Sequence, residues 1–518
     1  MHRSKALCFS LLLWIVTGAP TLAGSGVGQV KIGYTIMDEE GNLSVNQSTF
    51  NCYEGFDLSL EKFRYGFDNG MRLSADLQRL TLNNRNLNFG LEKSGLFGVR
   101  MFNNQYRRIY DFDGGSYVRR HRTGTSVWIN PHRYIRLFSG GEWIGRNGRV
   151  AELFDAAGAA PPEDLDYDQH AYNFGLRVNY YGRMVQAEYK TGSYTDNNDA
   201  TRDQKLSRVN LVGIVPVPRY EWAVLSGGFR HFETKYKTTD FAISSNNVWG
   251  GIRLKLPENF DVNYYVVFDR SLSDSDYVAT DNISNTFYVT HTWPGMAGLT
   301  AGYQHDINDD FEDEVQANSM YSSGWLMPLP VLEFRGEYGY RSETVEDGSR
   351  LLGDADRNRF KISGRYSLPE TGSLTLKFEN KIRKNDQLGS KVDFSRVTVD
   401  NVLTALEYAD LTCGYSFSKG KYRNEEQVFE FRDHLVHGDI TFEEYHGLTT
   451  GFGAVYYRSH RDLDVEHFTL RFSGSYRIKK DYLLAVVYNV DNFDDFLVRD
   501  QYYTANIVEI SLTKILSY

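Results

Sequence analysis

The sequence predicts an all-β fold: a transmembrane antiparallel β-barrel of the outer-membrane kind, with about 26 strands and a range of roughly 22–26. Three observations predict it. Short turns recur along the chain, mostly 33–40 residues apart. Each turn is flanked by segments of some ten residues that alternate apolar and polar side chains, the period of a strand with two unlike faces. No stretch beyond the N-terminal leader is apolar enough for a membrane helix, yet 14% of the chain is aromatic, with 36 Tyr and 32 Phe. Hydrocarbon satisfies no backbone group, so a chain that crosses it without helices must close its sheet.

The first 23 residues read as a cleaved signal peptide. His2, Arg3 and Lys5 are basic, Ala6 to Val16 is apolar apart from Ser10, and Thr21-Leu22-Ala23 places small residues for cleavage before Gly24. That apolar core is shorter than the ~20 residues a spanning helix needs. Residues 24–518 then read as one transmembrane β-barrel domain, because no Pro/Ser-rich linker or charge block divides them.

A first strand is expected at 27–37, followed by a loop at 38–55. Twelve hairpins follow, with short turns at Asp68-Asn69-Gly70, Ser94-Gly95, Asn130-Pro131, Tyr181-Gly182, Pro216–Pro218, Pro257, Pro294, Pro328–Pro330, Pro369, Glu407, Gly447 and Lys480. Longer polar stretches such as 193–204, 271–283 and 342–356 alternate with them, and the longest loop is placed at 146–169. A last strand at 502–516 pairs with the first and closes the barrel. The segments 56–67 and 428–445 are difficult to divide into strands. Short turns at one end and longer loops at the other are what an outer-membrane barrel requires, with both termini periplasmic.

The faces can be read residue by residue. Leu332, Phe334, Tyr338 and Tyr340 oppose Glu333, Arg335, Glu337 and Arg341. Phe360, Ile362 and Tyr366 oppose Arg357, Arg359, Lys361 and Arg365, and Leu374, Leu376, Phe378 and Ile382 oppose Lys377, Glu379, Lys381 and Arg383. In 466–477, Phe468, Leu470, Phe472 and Tyr476 oppose His467, Thr469, Arg471 and Arg477. The apolar sets are expected to meet lipid. Glu333, Arg335, Glu337, Arg359, Lys361, Arg365, Lys377, Glu379, Lys381 and Arg471 are expected to line the lumen. A soluble sandwich alternates too, but its strands usually run ~5–6 residues. Tyr180-Tyr181, Tyr264-Tyr265, Trp293, Trp325 and Tyr456-Tyr457 suit an interfacial girdle. Leu512, Leu516 and the terminal Tyr518 form a C-terminal barrel-assembly signal, from which Lys514 departs.

Other chemistry is thin. Asp306–Glu314 begins like a calcium loop but carries Phe311 and Ala317 where a turn Gly and a Glu belong, so a solvated acidic loop is expected. His434, His437 and His460 lack clusters and read as surface residues. Cys52 in a loop and Cys413 in mid-strand are expected to be free thiols, and no Cys-x-x-Cys-His attaches haem. No metal ligand set and no nucleophile–base pair stands out, so no enzyme is expected. A net charge of −10 argues against nucleic-acid binding and fits loops facing lipopolysaccharide.

About 26 strands at ~4.8 Å spacing and ~40° tilt give a cylinder on the order of 50 Å across. Such wide barrels are usually plugged, and the sequence shows no internal plug, which points to a second protein in the lumen. The segment 119–148, from Arg119-Arg-His-Arg through Trp128-Ile-Asn-Pro-His-Arg-Tyr to Gly140-Gly-Glu-Trp-Ile-Gly, resembles the early hairpin of the porin subunits of porin–cytochrome electron conduits (the MtrB/PioB type). Gly95-Leu-Phe-Gly-Val-Arg-Met and Gln105-Tyr-Arg-Arg-Ile-Tyr are similar in flavour. Some members carry a Cys-x-x-Cys near the mature N-terminus, and this chain does not. The resemblance implies a Gram-negative outer-membrane barrel that binds no cofactor itself and sheathes a periplasmic multihaem c-type cytochrome, with a cell-surface cytochrome as a further partner. The alternative is a diffusion or substrate-specific channel for small solutes; an export translocon is a third class.

Overall fold

The computed structural model describes residues 24–43, 45, 53–109, 117–150, 163–239, 241–273, 280–310, 313–346, 355–386, 388–406, 408–498 and 501–517. The signal segment 1–23, Cys52 and Tyr518 lie outside them. All described strands belong to one 26-stranded antiparallel sheet, β1 (Gly24–Gly41) to β26 (Tyr502–Ser517), in which each strand pairs with its sequence neighbour. β1 also pairs with β26 from Val27↔Ser517 to Gly41↔Tyr503, which closes the barrel. The expected strand number and closure are therefore observed. No described helix is long and apolar enough to cross a membrane.

The hairpin asymmetry follows from the turns. Twelve connections have two or three residues each, while those at the other end range from two residues to thirteen. Gly70, Gly95, Gly182, Gly295 and Gly447 supply positive φ in the tight turns. The turn placed at Asn130-Pro131 lies instead at Arg133-Tyr134, between β6 (Tyr117–His132) and β7 (Ile135–Val150). Pairing skips from Ile129 to His132, so Pro131 sits in an irregular step of β6 where no ladder N–H is needed.

Strands are longer than the ten residues expected. Apart from β3 (Met71–Gln78) and β4 (Asn86–Lys93), each eight residues long, they run 13–18. A span of ~30 Å needs only ~9–11 tilted residues, so these strands are longer than a span of that thickness requires. In β17 (Leu332–Glu346) the apolar face runs Leu332, Phe334, Tyr338, Tyr340 and then turns polar at Ser342 and Thr344. Polar residues on both faces read as loop in the sequence, but the backbone ladder continues through them. The stretches 193–204, 271–283 and 342–356 accordingly contract to connections at 197–203, 274–279 and 347–354, and the 146–169 loop to 151–162. The acidic segment is also corrected: Asp306–Asp310 ends β15 (Ala297–Asp310) and Asp313 starts β16 (Asp313–Leu329). β2 (Gly55–Phe67) and β22 (Val428–Tyr445) are single strands.

Candidate functional site

Residues directly opposite in an antiparallel ladder share a face. The ladder therefore carries face assignments from strand to strand. Glu333, Arg335 and Glu337 oppose Arg365, Ser363 and Lys361. Across β18 (Ala355–Leu368) and β19 (Gly372–Asn385), Arg359 opposes Lys381 and Lys361 opposes Glu379, while Lys377 shares its rung with Ser363. With Ser363, these nine charged residues form one continuous face. The ladders through β20 (Ser390–Leu406) to β24 (Val465–Lys479) place Arg471 on the same face, opposite Gly453 and Asn489.

The face is knitted by short ion pairs. Arg341 Nη1 lies 2.6 Å from Asp306 and its Nε 2.7 Å from Glu343, whose other oxygen takes Arg357 at 3.1 Å. Asp306 also accepts from Ser284 (2.6 Å) and Gln304 (2.8 Å), so one carboxylate ties β14 (Thr280–Trp293), β15 and β17 together. Glu379 holds Arg359 at 3.2 Å and Lys381 at 3.1 Å; Lys377 reaches Asp400 at 2.9 Å, Lys361 reaches Glu337 at 3.5 Å and Arg335 reaches Glu333 at 2.7 Å. Most of these side chains are part-exposed, so each pair contributes only ~0–1 kcal/mol. Their combined effect is to fix the orientation of long side chains, with cations outnumbering carboxylates among the residues named.

Aromatic rings punctuate this face by covering glycines on the facing strand. A Cβ on Gly298 would lie 2.4 Å from the Trp325 indole, and one on Gly302 would lie 2.2 Å from the Tyr321 ring. Gly251 stands in the same relation to Tyr265, at 2.3 Å. Trp325 and Tyr265 therefore belong to the charged face, where they fill the space a glycine leaves, and not to the apolar girdle expected for them. Tyr457 opposes His467 and leaves the girdle likewise. Tyr264, Trp293 and Tyr180 stay on the apolar face and are exposed. Sequence reasoning missed the pairing because it depends on register between strands. The Gly298-x-x-x-Gly302 spacing, two glycines on one face of the strand, is a local hint.

The apolar face is continuous. Phe360, Ile362, Leu376, Phe334 and Phe472 are all exposed to the surroundings of the wall, with Phe174 reaching 61%. Leu512 opposes Ile32 and Leu516 opposes Gly28 on this face, and Leu516 is buried in a cluster with Leu60, Phe63 and Tyr65. Lys514 breaks the pattern by laying its ammonium 6.0 Å from the Tyr482 ring.

Cys413 lies near the short-turn end of β21 (Ala409–Arg423), not mid-strand, and its thiol is free. His434 meets the Tyr415 hydroxyl at 2.9 Å, His437 stands 4.0 Å from Asp400 and His460 4.0 Å from Asp464. They are wall residues with local partners. No metal-binding cluster occurs among the described residues.

One loop is ordered by carboxylates. Asp199 caps a 3-10 turn at Ala200–Arg202, and Asp203 accepts from the Asp196 N–H at 2.9 Å and from Lys237 at 3.1 Å. These hydrogen bonds hold the Asp199 and Asp203 carboxyls below their ordinary range. A depressed carboxyl stabilises the fold above its unfolded pKa, and that contribution is lost as pH falls through the folded value. Nitroxide mobility at Thr238 is therefore expected to rise on acidification below the ordinary carboxylate range of ~4. In Asp203→Asn it should be high and nearly pH-independent; an unchanged acid response in that variant would refute the role of Asp203.

No protein-family model matches the chain, and no curated protein matches it in sequence. Solved outer-membrane barrels do match it in shape. The siderophore receptor PirA from Acinetobacter baumannii is similar at 9% identity and a TM-score of 0.53, covering 96% of this chain and 81% of that one. A variant of the ferric enterobactin receptor PfeA from Pseudomonas aeruginosa, solved with enterobactin, is similar at 10% identity and a TM-score of 0.51, covering 96% and 82%. The chain thus has the closed-barrel fold of Gram-negative outer-membrane proteins.

Proposed function

We propose that this barrel stands in a Gram-negative outer membrane, apolar face to lipid and charged face to the lumen, and sheathes a multihaem c-type cytochrome for electron transfer across that membrane. The observation that carries the reading is width without filling: 26 strands, all of them in the wall among the described residues. The lumen, on the order of 50 Å across, is lined by side chains already paired with one another. Such a lining suits a hydrophilic insert held by many weak polar contacts. A haem chain needs a wall that excludes lipid and keeps its haems in order; this chain supplies the wall, and the haems belong to the partner. The resemblance at 119–148 supports the same reading.

Purification from native membranes is expected to bring down a haem-staining protein. Deleting the gene is expected to abolish electron delivery to extracellular acceptors and leave periplasmic reduction intact. The second reading is a solute channel or receptor, favoured by the fold shared with siderophore receptors. It prevails if the pure barrel in liposomes conducts like an open pore and no cytochrome ever co-purifies.

Orientation is tested separately. Asp274 and Asp347, the natural labelling positions in the polar stretches 271–283 and 342–356, lie outside the described residues. Glu426, in the connection after β21, replaces them, and Glu370 lies in a short turn. With Cys52 and Cys413 removed, Glu426→Cys is expected to react with an impermeant maleimide in intact cells and Glu370→Cys only after lysis. The opposite pattern would invert the barrel.

A further inference from the structure

Among the described residues, the apolar face carries a groove of about 660 Å³ across β3 to β8 (Glu163–Tyr180). Leu77, Phe89 and Met101 wall one side, and Trp143 and Tyr172 the other. Between them Thr125 opposes Gly141, so the wall is low there and leaves room for a chain of methylenes.

Above the groove stand three arginines, Arg85, Arg107 and Arg119, together with His121 and His170. Arg85 and His170 line its upper edge. On β5 (Phe97–Ile109) and β6, the next rungs are Gln105↔His121 and Arg107↔Arg119, so two arginines stand directly opposite each other. At ~3.3 Å per residue they lie ~13 Å beyond the Asn103↔Thr123 rung. Like charges opposite each other destabilise a ladder. Arg107 stacks on Tyr53 at 3.9 Å. The Nε of Arg119 and the Nε2 of His121 are buried without a hydrogen-bond partner. A buried donor such as the Arg119 Nε is costly unless something satisfies it. Asp168, nearby on the same face, is already engaged by the Trp143 indole N–H at 3.0 Å.

We propose that this groove binds a phosphorylated, acylated glycolipid of the outer leaflet, its acyl chain between Met101 and Tyr172 and its phosphate at Arg119, His121 and Arg85. The site rests on the facing and orientation proposed above. An uncharged acyl chain would leave the buried Arg119 Nε unsatisfied. A free phosphate would leave the apolar groove empty. The cations lie toward the long-connection end, which selects the outer leaflet.

The test uses the purified full-length barrel in detergent, with lipid A 1,4′-bisphosphate and its dephosphorylated form as probes, read by native mass spectrometry. Wild type is expected to retain the bisphosphate at least about tenfold better than the dephosphorylated form. Arg119→Gln is expected to lose about tenfold of that retention, as removal of one charge-assisted contact does. Thr125→Trp, which fills the groove, should lower retention of both. If Thr125→Trp does not fold, Arg119→Gln carries the test alone. Equal retention of the two lipids by wild type, or of the bisphosphate by wild type and Arg119→Gln, overturns the site. A fluorophore at Thr125→Cys, with Cys52 and Cys413 replaced by Ala, separates the two readings. Quenching by acyl-chain nitroxide with equal retention sinks only the site; absence of quenching sinks the facing with it.

Discussion

Phe378→Arg is expected to deplete the folded barrel severely. Phe378 lies on the apolar face of β19, opposite Ile362 and Val397, with the Phe360 ring 6.2 Å away. Its rung lies about midway along the apolar stretch Leu374, Leu376, Phe378, Ile382. A guanidinium on the lipid face near the midplane costs ~2–4 kcal/mol, falling to ~0–1 near the interfaces. The adjacent Lys377→Ala is the control. It removes one ion pair to Asp400 from a half-exposed side chain, worth ~1 kcal/mol or less. Heat-modifiable migration and urea titration in lipid vesicles read both. Equal tolerance would mean that the charged face meets lipid and the assignment is reversed.

Gly372→Val is the second large effect, and it acts through the backbone. Gly372 opens β19 directly after the turn at 369–371, with φ at +143°. A Cβ there would lie 1.9 Å from the Val402 carbonyl oxygen and 2.9 Å from the Leu403 Cα. Both atoms are backbone of the neighbouring strand, so no rotamer change relieves the clash. Either the β19–β20 ladder opens at its short-turn end or the turn rebuilds, at a cost on the order of 3 kcal/mol. Gly336→Ala, whose Cβ would meet nothing within 4 Å, is the comparison and should be nearly neutral. A Gly372→Val barrel with wild-type urea midpoint would show that this strand start is more plastic than its geometry implies.

The difference between those two glycines was invisible in the sequence, and it marks where reading stopped. Strand number, closure and face alternation were legible because each rests on a period of two and on turn chemistry, both local. Glu333, Lys361 and Glu379 could be assigned to one face for that reason. Which of them share carboxylates could not, because Arg341–Asp306 joins residues 35 apart and depends on register across two hairpins. Trp325 and Tyr265 were misassigned for the same cause: an aromatic near a strand end fits a girdle until the facing glycine is known. Strand ends were underestimated wherever the backbone ladder outlasts the apolar pattern, as beyond Tyr340. The Arg119 and His121 cluster was passed over because its donors become unpartnered only once β5 and β6 are set side by side.

The seam has a consequence for how the molecule is made. The Lys31–Glu509 pair, at 2.5 Å, joins residues 478 apart, and the fifteen rungs around it join the first strand to the last. Loop closure over such a separation comes late, and topologies dominated by distant contacts fold slowly. Until the final strand arrives, β1 is an open edge offering its N–H and C=O groups to any extended chain it meets. Productive assembly is therefore a race between closure and capture by a stranger. The Ile32, Tyr34 and Ile36 side chains along that waiting edge make it adhesive. Conditions that delay arrival of the last strand should yield intermolecular aggregates joined through β1, rather than unfolded monomers.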